Sequence, residues 1–165
     1  MIRNLLLALV LLAVASCTSA HGPIETKPAF FAQEVGDAEY AAMLDRAVAD
    51  LPPGRSLLAV FGADWCHDSR ALMAHLESRA MADLMKSEFD TIAIDAGHPQ
   101  QGEGRNLDLA ARYGVTGITG TPTLLVISRG GRLVNSPEDA RSWRNAASRS
   151  QQSVIDAMIA YSRAD

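Results

Sequence analysis

The chain has 165 residues, of which 48% are apolar, and it carries 15 Lys and Arg against 19 Asp and Glu. This length suits one domain with a single substantial core, and nothing in the composition suggests a second domain. The net charge of −4 and the lack of a basic stripe argue against nucleic acid as a partner.

The first 20 residues have the pattern of an export signal. Arg3 gives a basic start, residues 5–15 are wholly apolar, and small residues follow. The apolar run is well short of the ~20 residues that a membrane-spanning helix needs, so we expect no retained span. Val14-Ala15-Ser16-Cys17 resembles the bacterial lipobox, and this resemblance implies a signal peptide over residues 1–16 and a lipid on Cys17.

Two locations follow from this leader. Lipidation of Cys17 would anchor the protein to the periplasm-facing side of a bacterial membrane, because two or three acyl chains together anchor stably. Thr18, the residue after the cysteine, is not the aspartate that resembles an inner-membrane retention signal, so we favour the outer membrane. The alternative is cleavage after Ala20, which releases a soluble periplasmic protein. Either way the exported domain keeps one thiol, Cys66, which indicates a reactive thiol or intermolecular pairing.

The next segments predict a tether and the start of a folded domain. Residues 17–36 contain glycine and proline with few apolar residues in register, which predicts a tether, with Phe30 and Phe31 as candidates to dock on the fold. The folded domain is expected over residues 37–165. Helical spacing of apolar residues predicts a helix over 37–50, and the continuous apolar run 57–61 predicts a strand buried on both faces.

The remaining elements predict an α/β domain with a central mixed sheet and helices on both faces. An apolar stripe predicts one long or broken helix over residues 68–86. Glycine and proline make 95–105 a loop. The other predicted elements are a strand over 91–94, a short helix over 106–113, a strand over 123–127, a hairpin return strand over 132–134 and a final helix over 150–162. Residues 136–149 fit no predicted element.

The most informative stretch is Trp65-Cys66-His67-Asp68-Ser69, which follows the first predicted strand and opens a helix. A helix N-terminus has unpaired N–H groups and the positive end of the helix dipole, and both favour the nucleophilic thiolate. We therefore expect Cys66 to be a partly exposed, reactive thiol. Ser69 replaces the second cysteine of a Cys-x-x-Cys pair, so this site cannot close its own disulfide.

Together these segments resemble the thioredoxin superfamily over about residues 37–165. The segment 61–66 lies at the end of the first core strand, and Thr121-Pro122-Thr123 lies at the start of the third. These are the two junctions where the family carries its motifs. The resemblance implies a thioredoxin-like fold in which the bond before Pro122 is cis and lies against the sulfur. It also implies a substrate groove formed by Thr121 and by the residues around the thiol, namely Trp65, His67 and Asp68.

The chain departs from the family pattern at three places. Because Ser69 replaces the resolving cysteine, a mixed disulfide at Cys66 would persist until another thiol attacks it. Val60 aligns with the buried acid that assists proton transfer in dithiol members. His67 and Asp68 replace Gly-Pro, and their charges respectively favour and disfavour the thiolate. The Ser69 hydroxyl either donates to the sulfur or is an ordinary first-turn group, and both roles remain open.

Other polar residues have simpler interpretations. His67 and His98 with Cys66 lack the spacing of a metal site, so we predict no metal, and the methionines fit core positions and imply no cofactor. Asp95 at a strand end is expected to cap the following loop. Asp64 is expected to cap the helix that Cys66 opens.

The sequence favours thiol–disulfide exchange through Cys66, with Ser69 and Pro122 completing the site. The expected partners are protein thiols or disulfides, or a small glutathione-like thiol. The alternative is a thioredoxin-fold binding module without turnover, because both the resolving cysteine and the buried acid are missing.

Overall fold

The computed structural model describes residues 30–32 and 35–164. The predicted leader and Cys17 lie outside these residues. The helices are α1 (Asp37–Ala49), α2 (His67–Leu76), α3 (Ala82–Glu88), α4 (Leu107–Ala111), α5 (Pro137–Ser142) and α6 (Gln151–Ser162). The strands are β1 (Ser56–Gly62), β2 (Phe89–Asp95), β3 (Gly97–His98), β4 (Glu103–Gly104) and β5 (Thr123–Ile127). Two 3₁₀ segments cover Pro99–Gln101 and Trp143–Ser148.

The central sheet has three strands in the order β2-β1-β5. β1 pairs in parallel with β2, so that Gly62 lies opposite Asp95. It pairs antiparallel with β5, so that Phe61 lies opposite Thr123. The sheet is therefore mixed, as predicted, and the carboxyl end of β1 meets the amino end of β5.

β1 is buried on both faces, which explains why its residues 57–61 are all apolar. Leu57 and Phe61 of β1 point into one core cluster, which also receives α1 and α4. Leu58 and Val60 point into the other, which receives α2 and α6. Because successive side chains of a strand face opposite sides, a strand covered on both faces needs apolar residues at every position.

The apolar stripe over residues 68–86 forms two helices, α2 and α3, and not one. Between them, Ser78 N–H donates to His75 and Met81 N–H donates to Ser78, both in i→i−3 contacts. Such bonds tighten the backbone relative to an α-helix. The tightened segment places Met81 in the core with no exposed surface.

The predicted hairpin return over residues 132–134 forms but is short: Ser128 N–H donates to the Arg132 carbonyl at 2.9 Å, Val134 N–H donates to the Val126 carbonyl at 2.7 Å, and a single bridge joins Ile127 to Leu133. The side chain of Asn135 explains why pairing stops there. Its Oδ1 accepts from Val126 N–H at 2.9 Å, and its Nδ2 donates to the Leu124 carbonyl at 2.9 Å. These contacts occupy the edge groups of β5 that a further strand would use.

Two other segments contain structure that the sequence did not predict. The loop over residues 95–105 includes the short antiparallel pair β3 and β4. The unassigned segment 136–149 forms α5 and a 3₁₀ turn, and α5 begins where Ser136 Oγ accepts from Asp139 N–H at 3.1 Å. Within the described ranges, no helix combines the length and hydropathy that crossing a membrane requires.

Candidate functional site

Cys66 is the N-cap residue of α2 and lies directly after β1. Its backbone is extended, its N–H donates to the Ala63 carbonyl at 3.1 Å, and its own carbonyl accepts from Arg70 N–H at 3.1 Å. No side chain caps this helix, so the expected cap by Asp64 is wrong. The sulfur therefore lies at the N-terminal end of α2, where backbone N–H groups lack helical partners.

The sulfur meets the segment that precedes β5. Cys66 Sγ donates a hydrogen bond to the Thr121 carbonyl at 3.3 Å, across 55 positions of the chain. The peptide bond between Thr121 and Pro122 is cis. The two junctions singled out in the sequence are therefore adjacent in space.

Cys66 is more buried than expected. It keeps 7% of its surface exposed, whereas the sequence predicted a partly exposed thiol. The segment before β5 lies against the sulfur, because the S–H group faces the Thr121 carbonyl. A thiolate could not donate this hydrogen bond, so the bond to the Thr121 carbonyl must break before the sulfur reacts with a partner.

Ser69 is fully buried one turn beyond Cys66. Its hydroxyl accepts from Ala63 N–H at 3.3 Å, and no hydrogen bond joins it to the sulfur in the described part of the chain. Of the two roles left open by the sequence, the structure favours the local one, in which Ser69 holds the turn between β1 and α2. Gly62 allows this arrangement, because a Cβ there would lie 2.8 Å from Ser69 Oγ.

Asp64 holds the N-terminal segment against this turn. Its carboxylate accepts from the backbone N–H groups of Phe30 at 3.0 Å and Phe31 at 3.2 Å. Phe31 is 1% exposed and belongs to the core cluster shared with α2. The end of the predicted tether is thus docked beside the turn that carries Cys66.

An aromatic stack borders the thiol. Trp65 is 39% exposed, and its ring lies parallel to that of His98 with centroids 4.5 Å apart. The Nδ1 atom of His98 is buried and has no hydrogen-bond partner in the described residues. The sequence identified His98 only as a weak metal candidate, and the stack was missed because β3 was not predicted. Among the described residues, no cluster of three or more His, Cys, Asp or Glu side chains is suited to a metal ion.

His67 and Asp68 differ in how much of each is accessible. The His67 side chain is 75% exposed, and its Nε2 lies 3.1 Å from Asp68 Oδ2. The Asp68 carboxylate also accepts from Ala147 N–H at 2.8 Å. Asp68 therefore joins α2 to the 3₁₀ segment, which leaves His67 as the member of this pair that faces solvent.

Asp95 caps the loop after β2, as predicted. It is 2% exposed, accepts from Gly97 N–H at 3.4 Å and forms an ion pair with Arg105. Its backbone carbonyl accepts from Asn106 Nδ2 at 2.8 Å. These contacts fix the loop on which His98 lies.

No protein-family model matches the chain, and no curated protein matches it. A solved structure, the disulphide isomerase from Xylella fastidiosa Temecula1, is similar with a TM-score of 0.65 and 26% sequence identity. The match covers 79% of this chain and 94% of that chain. The fold is thioredoxin-like.

The thioredoxin-like domain also contains a cavity that the sequence did not predict. It has a volume of about 360 Å³ and lies beside the loop that leads to Pro122. One wall is formed by residues 117–120 and Thr123, and the other includes Arg141 and Arg144. No sequence pattern indicates it, because its second wall comes from the segment 136–149, which fits no predicted element.

Proposed function

We propose that this chain is a thiol–disulfide exchange protein in which Cys66 is the single reactive thiol. The observation that carries the proposal is the position of Cys66 Sγ, at the N-cap of α2 and 3.3 Å from the carbonyl that precedes the cis bond to Pro122. The similarity to a disulphide isomerase supports thiol–disulfide chemistry in general.

In the proposed reaction, Cys66 loses its proton to solvent and its thiolate attacks one sulfur of a partner disulfide. A bond forms between the two sulfurs, the partner's S–S bond breaks, and the partner's other sulfur leaves as a thiolate. Ser69 has no sulfur with which to resolve this mixed disulfide. An external thiolate therefore attacks the partner's sulfur, forms a new disulfide with it and releases Cys66. The net result is exchange: one sulfur of the original disulfide is released as a thiolate, and the other is now bonded to the external sulfur.

The residues around the sulfur support a groove for such a partner. Trp65 provides an exposed aromatic surface, and His98 holds it in place by stacking. Thr121 is 5% exposed, and its Oγ1 has no hydrogen-bond partner in the described residues. We propose that Trp65, His67 and Thr121 border the groove. The partners we propose are protein thiols or disulfides, or a small glutathione-like thiol.

A second candidate function is a binding module that keeps the fold and the groove but has no turnover. The burial of Cys66 favours this alternative, because the thiol is 7% exposed and its S–H group is engaged by Thr121. Val60 and Ser69 also replace the two groups that assist exchange in dithiol thioredoxins.

We also propose that the domain is anchored through a lipid on Cys17, facing the periplasm, with the outer membrane favoured. The support is the leader over residues 1–16 and the tether after it. Labelling with a fatty acid in cells should modify the wild-type chain and not the Cys17→Ala variant. Equal release of both proteins as soluble periplasmic species would favour cleavage after Ala20 instead.

The two candidate functions differ in how the native thiol reacts. The full chain with Cys17→Ala, which leaves Cys66 as the only cysteine, is incubated with oxidised glutathione and its intact mass is measured. Exchange predicts one added glutathione, its removal by reduced glutathione over repeated cycles, and no addition in the Cys66→Ser variant. A protein that is modified only after denaturation would support the binding module and end the exchange proposal.

A further inference from the structure

A short segment before α1 is docked on the turn that carries Cys66. This segment, residues 30–32, is called the strap below. The N–H groups of Phe30 and Phe31 donate to the Asp64 carboxylate at 3.0 and 3.2 Å. The carbonyl of Ala32, the last residue of the strap, accepts from Tyr40 Oη at 2.7 Å, so α1 holds the strap as well. The strap is therefore fixed at both of its ends.

The Phe31 ring packs directly on the start of this turn. It lies over Gly62, the last residue of β1, where a Cβ would be only 2.6 Å from the ring atom Cζ. The same Cβ would lie 2.8 Å from Ser69 Oγ. The ring and the hydroxyl therefore share the space over Gly62. Phe31 is also buried among the side chains that α2 contributes to the core, so the strap contacts both sides of the turn.

Hydrogen bonds connect the contacts of the strap to the thiol residue. Ala63 lies between Gly62 and Asp64, the two residues of the turn that the strap holds. Its N–H donates to Ser69 Oγ at 3.3 Å, and its carbonyl accepts from Cys66 N–H at 3.1 Å. Movement of the turn would separate the Phe31 ring from Gly62 or leave the two N–H groups of the strap without their acceptor, and both changes cost free energy. The docked strap therefore restricts the backbone that positions the sulfur.

We propose that the strap controls access to the Cys66 thiol: while it is docked, the turn keeps the S–H group on the Thr121 carbonyl, and its release lets the sulfur reach a partner. The thiol is buried and donates to that carbonyl at 3.3 Å, so the docked arrangement is the closed one. Opening a short segment held by few contacts requires less free energy than unfolding the domain. Phe31 and Asp64 are thus positioning residues. The proposal rests on the exchange reaction proposed above and adds how its thiol is made accessible.

Alkylation of the native protein tests this proposal without requiring exchange. Iodoacetamide reacts directly with a thiol, so its second-order rate with Cys66, in the full chain with Cys17→Ala, measures access to the sulfur. Phe31→Ala removes the ring from Gly62 and should raise this rate at least about tenfold. Phe31→Leu keeps an apolar side chain in the same place and should raise it less. An unchanged or lower rate in Phe31→Ala would overturn the proposal even if glutathione exchange proceeds, whereas a raised rate supports it even if exchange fails.

A control variant separates release of the strap from a general loss of stability. Leu57 is buried like Phe31, but it lies near the start of β1, at the other end from Gly62, and belongs to the other core cluster. Leu57→Ala should lower the urea midpoint of unfolding and leave the alkylation rate within about twofold of the parent. Equal increases in Phe31→Ala and Leu57→Ala would assign the faster alkylation to destabilisation and overturn the proposal.

Asp64→Asn tests the strap without removing core volume. Each carboxylate oxygen accepts one N–H group of the strap, whereas an amide has a single acceptor oxygen, so one N–H group loses its acceptor. Hydrogen exchange of the Ala63 and Cys66 amides, followed by NMR, should become about tenfold faster, while the amides of α6 keep their rates. The control, Asp156→Asn, removes the same charge from an exposed position on α6 and should leave the amides of the turn unchanged. Faster exchange throughout the domain, or no change at the turn, would overturn the proposal.

Discussion

Ser69→Cys would give the site a second sulfur at the position where the structure places a buried hydroxyl. Cys66 is the N-cap of α2, and Ser69 is the third residue of that helix. Side chains three positions apart in a helical turn are neighbours. We therefore expect the variant to form an internal disulfide between residues 66 and 69.

Two effects set the stability of the variant, and only the second distinguishes its oxidised form from its reduced form. Loss of the hydrogen bond from Ala63 N–H to Ser69 Oγ, at 3.3 Å, should cost the reduced variant about 1 kcal/mol. Closing a loop of about four residues should stabilise the oxidised variant by about 2 kcal/mol in the chain-entropy model. The oxidised form should then unfold about 8 °C above the reduced form for a domain of this size.

Thermal unfolding with and without dithiothreitol measures this difference, and thiol titration after denaturation counts the free sulfurs. The oxidised Ser69→Cys protein, in a Cys17→Ala background, should show no free thiol and should gain dithiol reductase activity towards insulin. Ser78→Cys is the control, because Ser78 lies beyond the end of α2 and cannot reach Cys66. Two free thiols in oxidised Ser69→Cys would refute the placement of Cys66 at the N-cap.

Three further predictions concern the frame of the site. Asp64→Ala removes the acceptor for two backbone amides and should lower the free energy of unfolding by about 2–4 kcal/mol in urea titrations; an unchanged midpoint would contradict the docking of Phe31. Gly62→Ala would place a Cβ 2.6 Å from the Phe31 ring and should cost about 1–3 kcal/mol, measured in the same way, whereas a neutral effect would show that the ring is not packed there. Burial is the main cause that raises the pKa of Tyr161, and the hydrogen bond to Asp139 is the second. The protonated side chain therefore stabilises the fold below about pH 10, and this contribution is lost at higher pH. Tyr161→Phe should reduce the decline in unfolding free energy above pH 10 by up to about 1.4 kcal/mol per pH unit, and an unchanged slope would assign the decline to other groups.

The elements predicted best are those whose residues alone decide their burial. Residues 57–61, 92–94 and 124–127 are continuous apolar runs, and they lie in the three strands of the sheet. The return over 132–134 forms only one bridge, because the amide of Asn135 takes the next hydrogen bonds of the β5 edge. A side chain that replaces a strand cannot be recognised from local apolar spacing.

The polar residues of the site were harder to predict than its motifs. Asp64 looked like a helix cap, yet it binds the amides of Phe30 and Phe31 from outside the domain boundary that we expected. Asp68 looked like a groove residue, yet it accepts from Ala147 across 79 positions of the chain. In each case the partner is distant in sequence, so local pattern could not indicate it.

The sequence by itself determined the three core strands, the helix that begins at the lone thiol, the substitution of Ser69 for a resolving cysteine, and the two junctions at which the thiol and Pro122 stand. These depend on residue type and short spacing, which act within one element. Only the tertiary structure decided how far Cys66 is buried, which groups the carboxylates of Asp64 and Asp68 bind, and that a cavity opens between residues 117–120 and the segment 136–149. These depend on contacts between distant segments, because exposure and hydrogen bonding of a side chain are set by whichever residues the fold brings against it.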